Sequence, residues 1–178
     1  VLGASGGVGV GCVLLAKHLG AEVVACASSA GKLERLARLG ADHVIDYQAT
    51  NFMKEVHGRW GKPHRRAFEG GVDVVVNFTG GDTWVPSMRC LRRGGRLLTC
   101  GATAGYDPTE DIRFIWTFEL QILGSNGWMR EDLESLLALV SSGAIRVPID
   151  RSLTLEEAPE ALRVIEDREV MGKVVVRP

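Results

Sequence analysis

The sequence predicts an α/β protein with a doubly wound, six-stranded parallel sheet and a C-terminal helix–strand tail. Short runs of β-branched residues alternate with longer segments of 3.6-residue apolar periodicity, which is the pattern of repeated β–α–β units. Two of the runs, VDVVVN (72–77) and LQILG (120–124), are almost unbroken apolar stretches. Such strands are expected when helices cover both faces of a parallel sheet. A cluster of glycines stands between the first predicted strand and the first predicted helix.

The predicted strands and helices alternate along the first 142 residues. Glycines in GGVD (70–73) and RRGGR (92–96) stand before one strand and after one helix, where the chain must turn. We expect strands at residues 1–3, 22–27, 43–46, 72–77, 95–100 and 120–124, and helices at residues 7–19, 32–39, 52–60, 83–91 and 130–142.

Residues 149–178 are expected to form a separate C-terminal segment. The stretch SLTLEEAPEALRVIED begins with a capping box, Thr154-x-x-Glu157, and Leu162 and Ile165 continue an apolar face along the helix that follows. MGKVVVRP then has the pattern of a strand. We therefore expect two parts, a sheet domain at residues 1–148 with a shortened first strand, and this tail.

The charge balance argues against two kinds of partner. The chain has 21 Lys and Arg against 22 Asp and Glu, a net charge of -1, which gives no overall attraction to nucleic acid or anionic lipid. Its apolar runs are far shorter than the roughly 20 residues that cross a bilayer. We expect a small-molecule ligand and neither nucleic acid nor a membrane as partner. One polar stretch, GRWGKPHRRAFEGG (58–71), carries a basic cluster that we interpret as solvated surface.

The cysteines and histidines lack the spacing of a disulfide framework or a metal site. Each cysteine lies alone on an apolar segment, which predicts buried thiols in a reducing compartment, the cytoplasm. The histidines are expected to be ordinary surface or strand-end residues, and no metal ligand is predicted. These residues are Cys12, Cys26, Cys90, Cys100, His18, His43, His57 and His64.

The opening glycines fit two motifs whose partner residues are missing. Residues 3–7, GASGG, match the G-x-S-x-G elbow with Ser5 as nucleophile, but a hydrolase of that type needs a histidine late in the chain, and the last is His64. The same glycines resemble the G-x-x-x-G-x-G turn of short-chain dehydrogenases, which need a Tyr-x-x-x-Lys pair. Four residues beyond the two tyrosines, Tyr47 and Tyr106, stand an asparagine and a glutamate.

The third interpretation, a dinucleotide-binding turn, fits its surroundings. Ala4, Gly6 and Gly9 occupy the three fingerprint positions between a strand and a helix, the context that gives this motif its meaning. The backbone N–H groups of Gly7 and Val8 would then point at a pyrophosphate at the positive end of the helix dipole. A Cβ at Gly6 would push the phosphates away, and a Cβ at Gly9 would hold the helix off the sheet.

The end of the second predicted strand favours NADP(H) over NAD. An NAD enzyme places an acidic residue here, about 20 residues beyond the glycines, to bind the ribose 2′-hydroxyl. The chain has Ser28 and Ser29 at this point, then Lys32, and no acid before Glu34. Hydroxyls and a positive charge suit a 2′-phosphate, which a carboxylate would repel.

Six stretches in order resemble the medium-chain dehydrogenase/reductases, in particular the quinone oxidoreductase and zinc-type alcohol dehydrogenase-like branches. The stretches are GASGGVG, GADHVIDY, NFTGG, GGRLLTCGA, ELQILGSNGW and EVMGKVVVRP. The resemblance covers essentially the whole chain. It implies a Rossmann fold and an NADP(H)-dependent oxidoreductase that transfers hydride between nicotinamide and a carbonyl, alcohol, quinone or enone substrate.

The resemblance also implies cofactor-binding residues beyond the glycine turn. Lys32 and Tyr47 match residues that flank the 2′-phosphate in this family. The other matching residues follow the ends of the predicted strands, where ligands of open α/β sheets bind. They are Asn77, Thr79, Gly80, Gly101, Ala102, Thr103, Gly124, Ser125 and Asn126.

In this family a substrate domain precedes the cofactor domain, and the C-terminal tail returns to it. The resemblance therefore implies that zinc ligands and catalytic residues would lie upstream, so none is assigned here and turnover by this chain alone is not expected. The last strand would then lack its usual partners and expose an apolar edge. The family also implies a homodimer through the edge strand from Leu120 to Gly124. A non-enzymatic dinucleotide-binding module, a sensor or structural partner, remains the alternative.

Overall fold

The structure is a computed structural model that describes residues 1–178. It contains seven strands, seven α-helices and one 3₁₀ turn, at Gly81–Thr83. In chain order the strands and α-helices are α1 (Gly7–His18), β1 (Val24–Ala27), α2 (Ala30–Arg38), β2 (His43–Asp46), α3 (Phe52–Trp60), β3 (Val72–Val76), α4 (Trp84–Cys90), β4 (Leu91–Thr99), α5 (Ile112–Thr117), β5 (Gln121–Gly124), α6 (Arg130–Ser141), β6 (Ile149–Thr154), α7 (Ala158–Glu166) and β7 (Lys173–Arg177).

The strands form three small sheets. One sheet has the order β3–β4–β5 with both pairings parallel, a second pairs β6 with β7 in parallel, and the third pairs β1 with β2. The predicted α/β class with parallel strands is therefore confirmed. The single six-stranded sheet is not observed.

The chain divides into two compact units. Unit 1 contains residues 1–3 and 45–127, and unit 2 contains residues 4–44 and 128–178. Each unit joins stretches that are distant in sequence, and each has its own core.

Unit 1 is built on the β3–β4–β5 sheet. In the parallel register Val75 pairs with Leu97, and Leu97 pairs with Ile122. Val75, Leu97 and Met88 of α4 are buried. Burying a side chain of this size contributes about 1.5–3 kcal/mol. These contacts fix the strands whose carboxyl ends carry the loops described below.

Unit 2 contains helices α1, α2 and α7, each of which contributes a buried apolar residue. Val13 of α1, Leu36 of α2 and Val164 of α7 are completely buried, as is Ala25 of β1. Burial raises the pKa of the Cys26 thiol. This cysteine is therefore a protonated core residue, consistent with the prediction for it.

Side chains that cap helix starts explain where two of the helices begin. Asn51 Oδ1 accepts a hydrogen bond from the Lys54 N–H (3.1 Å) before α3, and Asp111 Oδ1 accepts one from the Arg113 N–H (3.0 Å) before α5. These contacts satisfy backbone donors that lack a partner in the first turn. The sequence analysis did not predict α5, which has only six residues.

Residues 1–3, predicted as the first strand, form a turn instead. Gly3 has φ +60°, and the Leu2 N–H donates to the carbonyl of Val76 at 2.9 Å. The prediction was wrong because two residues before a glycine of positive φ are too few to build a ladder. Among the other predicted elements, β2 and α3 match the prediction at both ends, and the remaining bounds differ by at most four residues, with the largest difference at the start of β4.

The C-terminal tail has a strand–helix–strand arrangement rather than a helix followed by a strand. β6 precedes α7, and β7 pairs with β6 from Ile149 opposite Lys173 to Thr154 opposite Arg177. The expectation of a final strand without partners was therefore wrong, because β6 supplies the ladder.

Candidate functional site

The glycine-rich turn of unit 2 leads directly into helix α1. Gly6 is the N-cap in extended conformation (φ -74°, ψ 170°), and the Val10 N–H donates to its carbonyl at 2.9 Å. Ala4 is completely buried, and its N–H donates to the carbonyl of Cys26 at 3.0 Å. The first N–H groups of a helix have no acceptor inside it. The turn therefore offers the donors and the positive dipole end that bind phosphate.

A segment of the tail borders this turn. The Gly172 N–H donates to the carbonyl of Ser5 at 2.9 Å, and the next side chain, Lys173, runs along Gly7. A Cβ at Gly7 would lie 2.7 Å from Lys173 Nζ and 2.8 Å from its Cε. An ammonium group thus stands at the positive end of a helix dipole, where like charges repel. An anion between them would turn both into attractive contacts.

An open cleft of ≈ 570 Å³ lies beyond the end of β1 in unit 2. Two acidic side chains and four basic ones line it, so the cleft carries an excess of positive charge. Its lining residues are Ser28, Ser29, Gly31, Lys32, Glu34, Arg35, Arg38, Arg168 and Glu169.

The cations of this cleft differ in how they are paired. Arg35 makes a 2.7 Å ion pair with Asp150, and Arg38 lies 3.7 Å from Glu34. Lys32 makes no ion pair, and its ammonium donates to the backbone carbonyl of Arg168 at 2.5 Å. The charges of Lys32 and Arg168 are therefore available to an anionic group in the cleft.

Asp150 joins helix α2 to the tail. Its side chain is 6% exposed and accepts from Arg35, from Arg151 Nε (3.1 Å) and from the Met171 N–H (3.3 Å). Burial alone would raise the pKa of Asp150, but these hydrogen bonds outweigh it and hold the pKa below its ordinary value. The carboxylate therefore stays charged and keeps the Arg35 guanidinium at the rim of the cleft.

In unit 1, the buried side chain of Asn77 organises the loop after β3. Its amide NH₂ donates to Thr83 Oγ1 (3.0 Å) and Ser87 Oγ (2.9 Å), and its carbonyl accepts from the N–H groups of Thr79 and Gly80. Every hydrogen-bonding position of the Asn77 amide is used, by the loop and by Ser87 of α4. Asn77 therefore positions Thr79 and Gly80.

The loops after β3 and β4 are joined by backbone hydrogen bonds. The N–H of Thr103 donates to Phe78, that of Ala104 to Thr79 (2.7 Å) and that of Gly81 to Gly105 (2.9 Å). Gly80 has φ +69°, and a Cβ there would lie 2.2 Å from the carbonyl oxygen of Gly105. This close approach requires glycine.

The remaining predicted residues of unit 1 are exposed. Gly124 is the last residue of β5, Ser125 and Asn126 follow it, and the Ser125 N–H donates to the carbonyl of Thr99 at 2.9 Å. Tyr47 follows β2 and is 42% exposed. Gly101, Ala102 and Thr103, also exposed, lie beside the Thr79 loop through the hydrogen bonds just described.

The structure adds four basic residues that the sequence analysis missed. It brings the predicted Ser28, Ser29 and Lys32 together in one cleft and adds Arg35, Arg38 and Arg168 to it. Lys173 lies at the glycine turn. Arg168 and Lys173 are more than 130 residues from the parts of unit 2 that they contact. No local sequence signal could therefore have identified them.

The chain has no group of three or more His, Cys, Asp or Glu side chains arranged to hold a metal ion. None of its helices combines the length and apolar character needed to span a bilayer.

Comparisons with known proteins agree on one family. The family model described as zinc-binding dehydrogenase matches residues 7–142. The acryloyl-coenzyme A reductase of Sulfurisphaera tokodaii is 31% identical over an alignment of 182 positions, which covers 100% of this chain and 50% of the relative.

Two solved structures show the same similarity in three dimensions. An NAD-dependent alcohol dehydrogenase is 34% identical with a TM-score of 0.87, covering 99% of this chain and 50% of that one. The 2-octenoyl-CoA carboxylase reductase CinF, solved with NADP and 2-octenoyl-CoA, is 33% identical with a TM-score of 0.83, covering 98% of this chain and 42% of that one. The chain thus spans half the length of these proteins or less.

Proposed function

Because the chain belongs to the zinc-binding dehydrogenases of the medium-chain dehydrogenase/reductase family, we propose that it is the NADP(H)-binding part of an oxidoreductase. The observation that carries this proposal is the uncompensated positive charge of unit 2. Lys173 faces the start of α1, and Lys32 and Arg168 line the cleft beyond β1. Cations gathered at a helix N-terminus are stable beside phosphate groups.

The residues of unit 2 fit the two phosphate positions of this cofactor. The N–H groups of Gly7 and Val8, with the Lys173 ammonium, would hold the pyrophosphate. Lys32 and Arg168, with the hydroxyls of Ser28 and Ser29, would hold the 2′-phosphate. NAD lacks the 2′-phosphate, so bound NAD would leave Lys32 and Arg168 without an anionic partner. The charge of the cleft therefore supports NADP(H), although one similar structure is described as NAD-dependent.

The loops of unit 1 are proposed to orient the nicotinamide. Asn77 fixes the loop of Thr79 and Gly80, and the exposed Thr103 is tied to that loop through its backbone. Preorganised backbone groups of this kind hold a ring in place at little entropic cost. Gly124, Ser125 and Asn126 would bind the carboxamide.

The substrate is proposed to be an α,β-unsaturated thioester, or a related carbonyl, alcohol or quinone compound. The acryloyl-coenzyme A reductase and the CinF complex both point to thioesters. The cofactor, when bound, would supply a hydride, which an α,β-unsaturated thioester would accept at its β-carbon. The residues of this chain bind and orient the cofactor, and none of them is assigned a proton-transfer role.

No residue of this chain is assigned as a zinc ligand. Family members of the zinc type bind the metal through clusters of Cys, His and acidic side chains. This chain lacks such a cluster, so its residues do not fit the metal. We derive no step through zinc.

A homodimer through strand β5 is also proposed. β5 is the last strand in the order β3–β4–β5, so one of its edges is unpaired, and Ile122 and Leu123 are 41% and 44% exposed. Pairing with a second copy would extend the sheet and cover these side chains. We further infer that residues 1–148 form most of the cofactor domain, to which the tail adds Arg168 and Lys173, and that the protein is cytoplasmic.

The proposal is tested by thermal unfolding of the chain with NADPH and with NADH. A ligand at about 100 times its Kd adds roughly 2.7 kcal/mol to the free energy of unfolding. For a chain of this size that raises Tm by roughly 5–10 °C. We expect this shift with NADPH and a much smaller one with NADH at equal concentration.

A matched pair of variants assigns the effect to the cleft. Lys32→Glu should remove most of the NADPH shift and leave the NADH shift unchanged. Arg146→Glu makes the same change of charge at an exposed residue outside the cleft and should alter neither the NADPH shift nor the NADH shift. A larger shift with NADH than with NADPH would overturn the assignment of the cofactor.

A further inference from the structure

The loop between α3 and β3, residues 61–71, is a closed structure with a rigid base. The Gly71 N–H donates to the carbonyl of Gly61 at 2.9 Å, and the His64 N–H donates to that of Glu69 at 3.2 Å. Gly70 has φ +73°, and a Cβ there would lie 2.1 Å from the carbonyl oxygen of Lys62. The path of the backbone at the base of the loop therefore tolerates only glycine at this position.

The aromatic ring of Phe68 anchors the loop to strand β4. The Arg93 guanidinium lies 5.0 Å from the ring centroid, and a Cβ at Gly94 would lie 3.3 Å from the ring. Arg93 is itself paired with Glu119. The base of the loop and the Phe68 ring are therefore held by contacts with strand β4.

The cations at the tip have no carboxylate partner. Lys62, Arg65 and Arg66 are exposed and make no ion pair, whereas the neighbouring Arg92 and Arg93 are neutralised by acidic side chains. Three uncompensated cations within five residues on a rigid loop form a preorganised positive surface, here called the cationic loop.

The cationic loop lies away from the cofactor loops of unit 1. It enters β3 at the amino end, and the Asn77 and Thr103 loops follow the carboxyl ends of β3 and β4. The five residues of β3 span roughly 16 Å. A partner bound to the cationic loop would therefore leave those loops uncovered.

We propose that the cationic loop is a docking surface for an acidic protein segment. The small footprint favours this partner over nucleic acid, because affinity for nucleic acid comes mainly from phosphate contacts along the strand, and three cations on one loop offer few of them. Here the positive charge stops at the loop, where Asp73 and Glu119 already neutralise the adjacent arginines. A short acidic helix or loop matches three cations on a rigid base. Because the backbone is already ordered, binding orders only side chains.

The test uses the whole chain and a fluorescein-labelled peptide of about ten glutamates, measured by fluorescence anisotropy. We expect saturable binding that weakens as salt rises from about 50 to about 200 mM, because exposed charges are screened over this range. The variant Lys62→Gln/Arg65→Gln/Arg66→Gln should raise the Kd roughly tenfold, since each exposed ion pair contributes about two- to fivefold.

The matched control removes three other exposed, unpaired cations, by Arg96→Gln/Arg146→Gln/Arg177→Gln. This variant should bind the peptide like the wild type. Equal loss in both variants, or binding unaffected by the loop variant, would overturn the proposal, because attraction would then be general or located in the cofactor cleft. Tighter binding of a single-stranded oligonucleotide, or of anionic phosphatidylserine vesicles, than of the peptide would also overturn it.

The cofactor proposal is tested separately by the NADPH shift of the loop variant. The cationic loop lies outside the cofactor site, so this variant should keep the full shift. Its Tm without ligand reports whether the fold is intact. If the peptide does not bind, the cofactor proposal is unaffected. If NADPH does not raise Tm, the proposal for the cationic loop is unaffected.

Discussion

Replacing Asp150 by asparagine should destabilise the protein at neutral pH and leave it unaffected in acid. Asn keeps the volume of the side chain but removes the charge that Arg35 (2.7 Å) and Arg151 (3.1 Å) contact. Hydrogen bonds to charged groups contribute about 1.5–3 kcal/mol, and neutral ones about 0.5–1.5. Because Arg35 is 39% exposed, solvent weakens its contribution, and we expect a loss of about 2 kcal/mol in total.

The pH dependence of this loss follows from the lowered pKa of Asp150. The unfolded chain binds the proton more readily than the folded chain, so the stabilisation is complete above the unfolded pKa of about 3.9. It disappears as pH falls through the folded pKa, where the wild-type side chain also becomes neutral. The difference in unfolding free energy between wild type and Asp150→Asn should therefore be constant from pH 7 to about pH 5 and shrink below about pH 4.

Urea unfolding followed by circular dichroism at several pH values measures this difference. In thermal unfolding at neutral pH we expect the Tm of the variant to be lower by roughly 4–8 °C. Asp167→Asn is the control, because that carboxylate pairs with Arg163 while half exposed and should contribute less than about 1 kcal/mol. A difference for Asp150→Asn that is absent at pH 7, or that persists unchanged at pH 3, would refute the reasoning.

Three further predictions concern single residues. Asn77→Ala removes the amide that donates to Ser87 and Thr83 in a buried network. We therefore expect the free energy of unfolding in urea to fall by about 2–4 kcal/mol. A fall of less than about 1 kcal/mol would contradict the positioning role of Asn77. Lys173→Met should weaken NADPH and NADH equally, by about tenfold in calorimetric titration, unlike a change at Lys32; an effect on NADPH alone would place Lys173 at the 2′-phosphate. Ile122→Lys introduces charge at the exposed edge of β5 and should convert a dimer into a monomer in sedimentation velocity, and a wild type that is monomeric at high concentration would exclude the dimer.

The sequence predicted elements best where local signals were complete. The bounds of β2 (His43–Asp46) and α3 (Phe52–Trp60) match the prediction at both ends. α3 begins at a capping asparagine, and β2 contains the β-branched pair Val44 and Ile45 just before a turn. In contrast, α5 has a cap but only six residues, too few for a periodic pattern to be visible.

The sequence predicted only those residues of the candidate site that belong to a local motif. The glycine turn and the Ser28, Ser29 and Lys32 group lie within 30 residues of each other, where a fingerprint can be read. Arg168 and Lys173 enter the site through the pairing of β6 with β7 and the packing of the tail in unit 2. A tertiary contact of this kind leaves no mark on the local sequence.

The central claim is that phosphate groups bind at the start of helix α1, and backbone amide NMR tests it most directly. In a titration of ¹⁵N-labelled protein, NADPH and NADH should both shift the amide resonances of Gly7 and Val8. NADPH alone should shift those of Ser29 and Lys32 strongly. Saturating NADPH that leaves the Gly7 and Val8 resonances unchanged would contradict the claim.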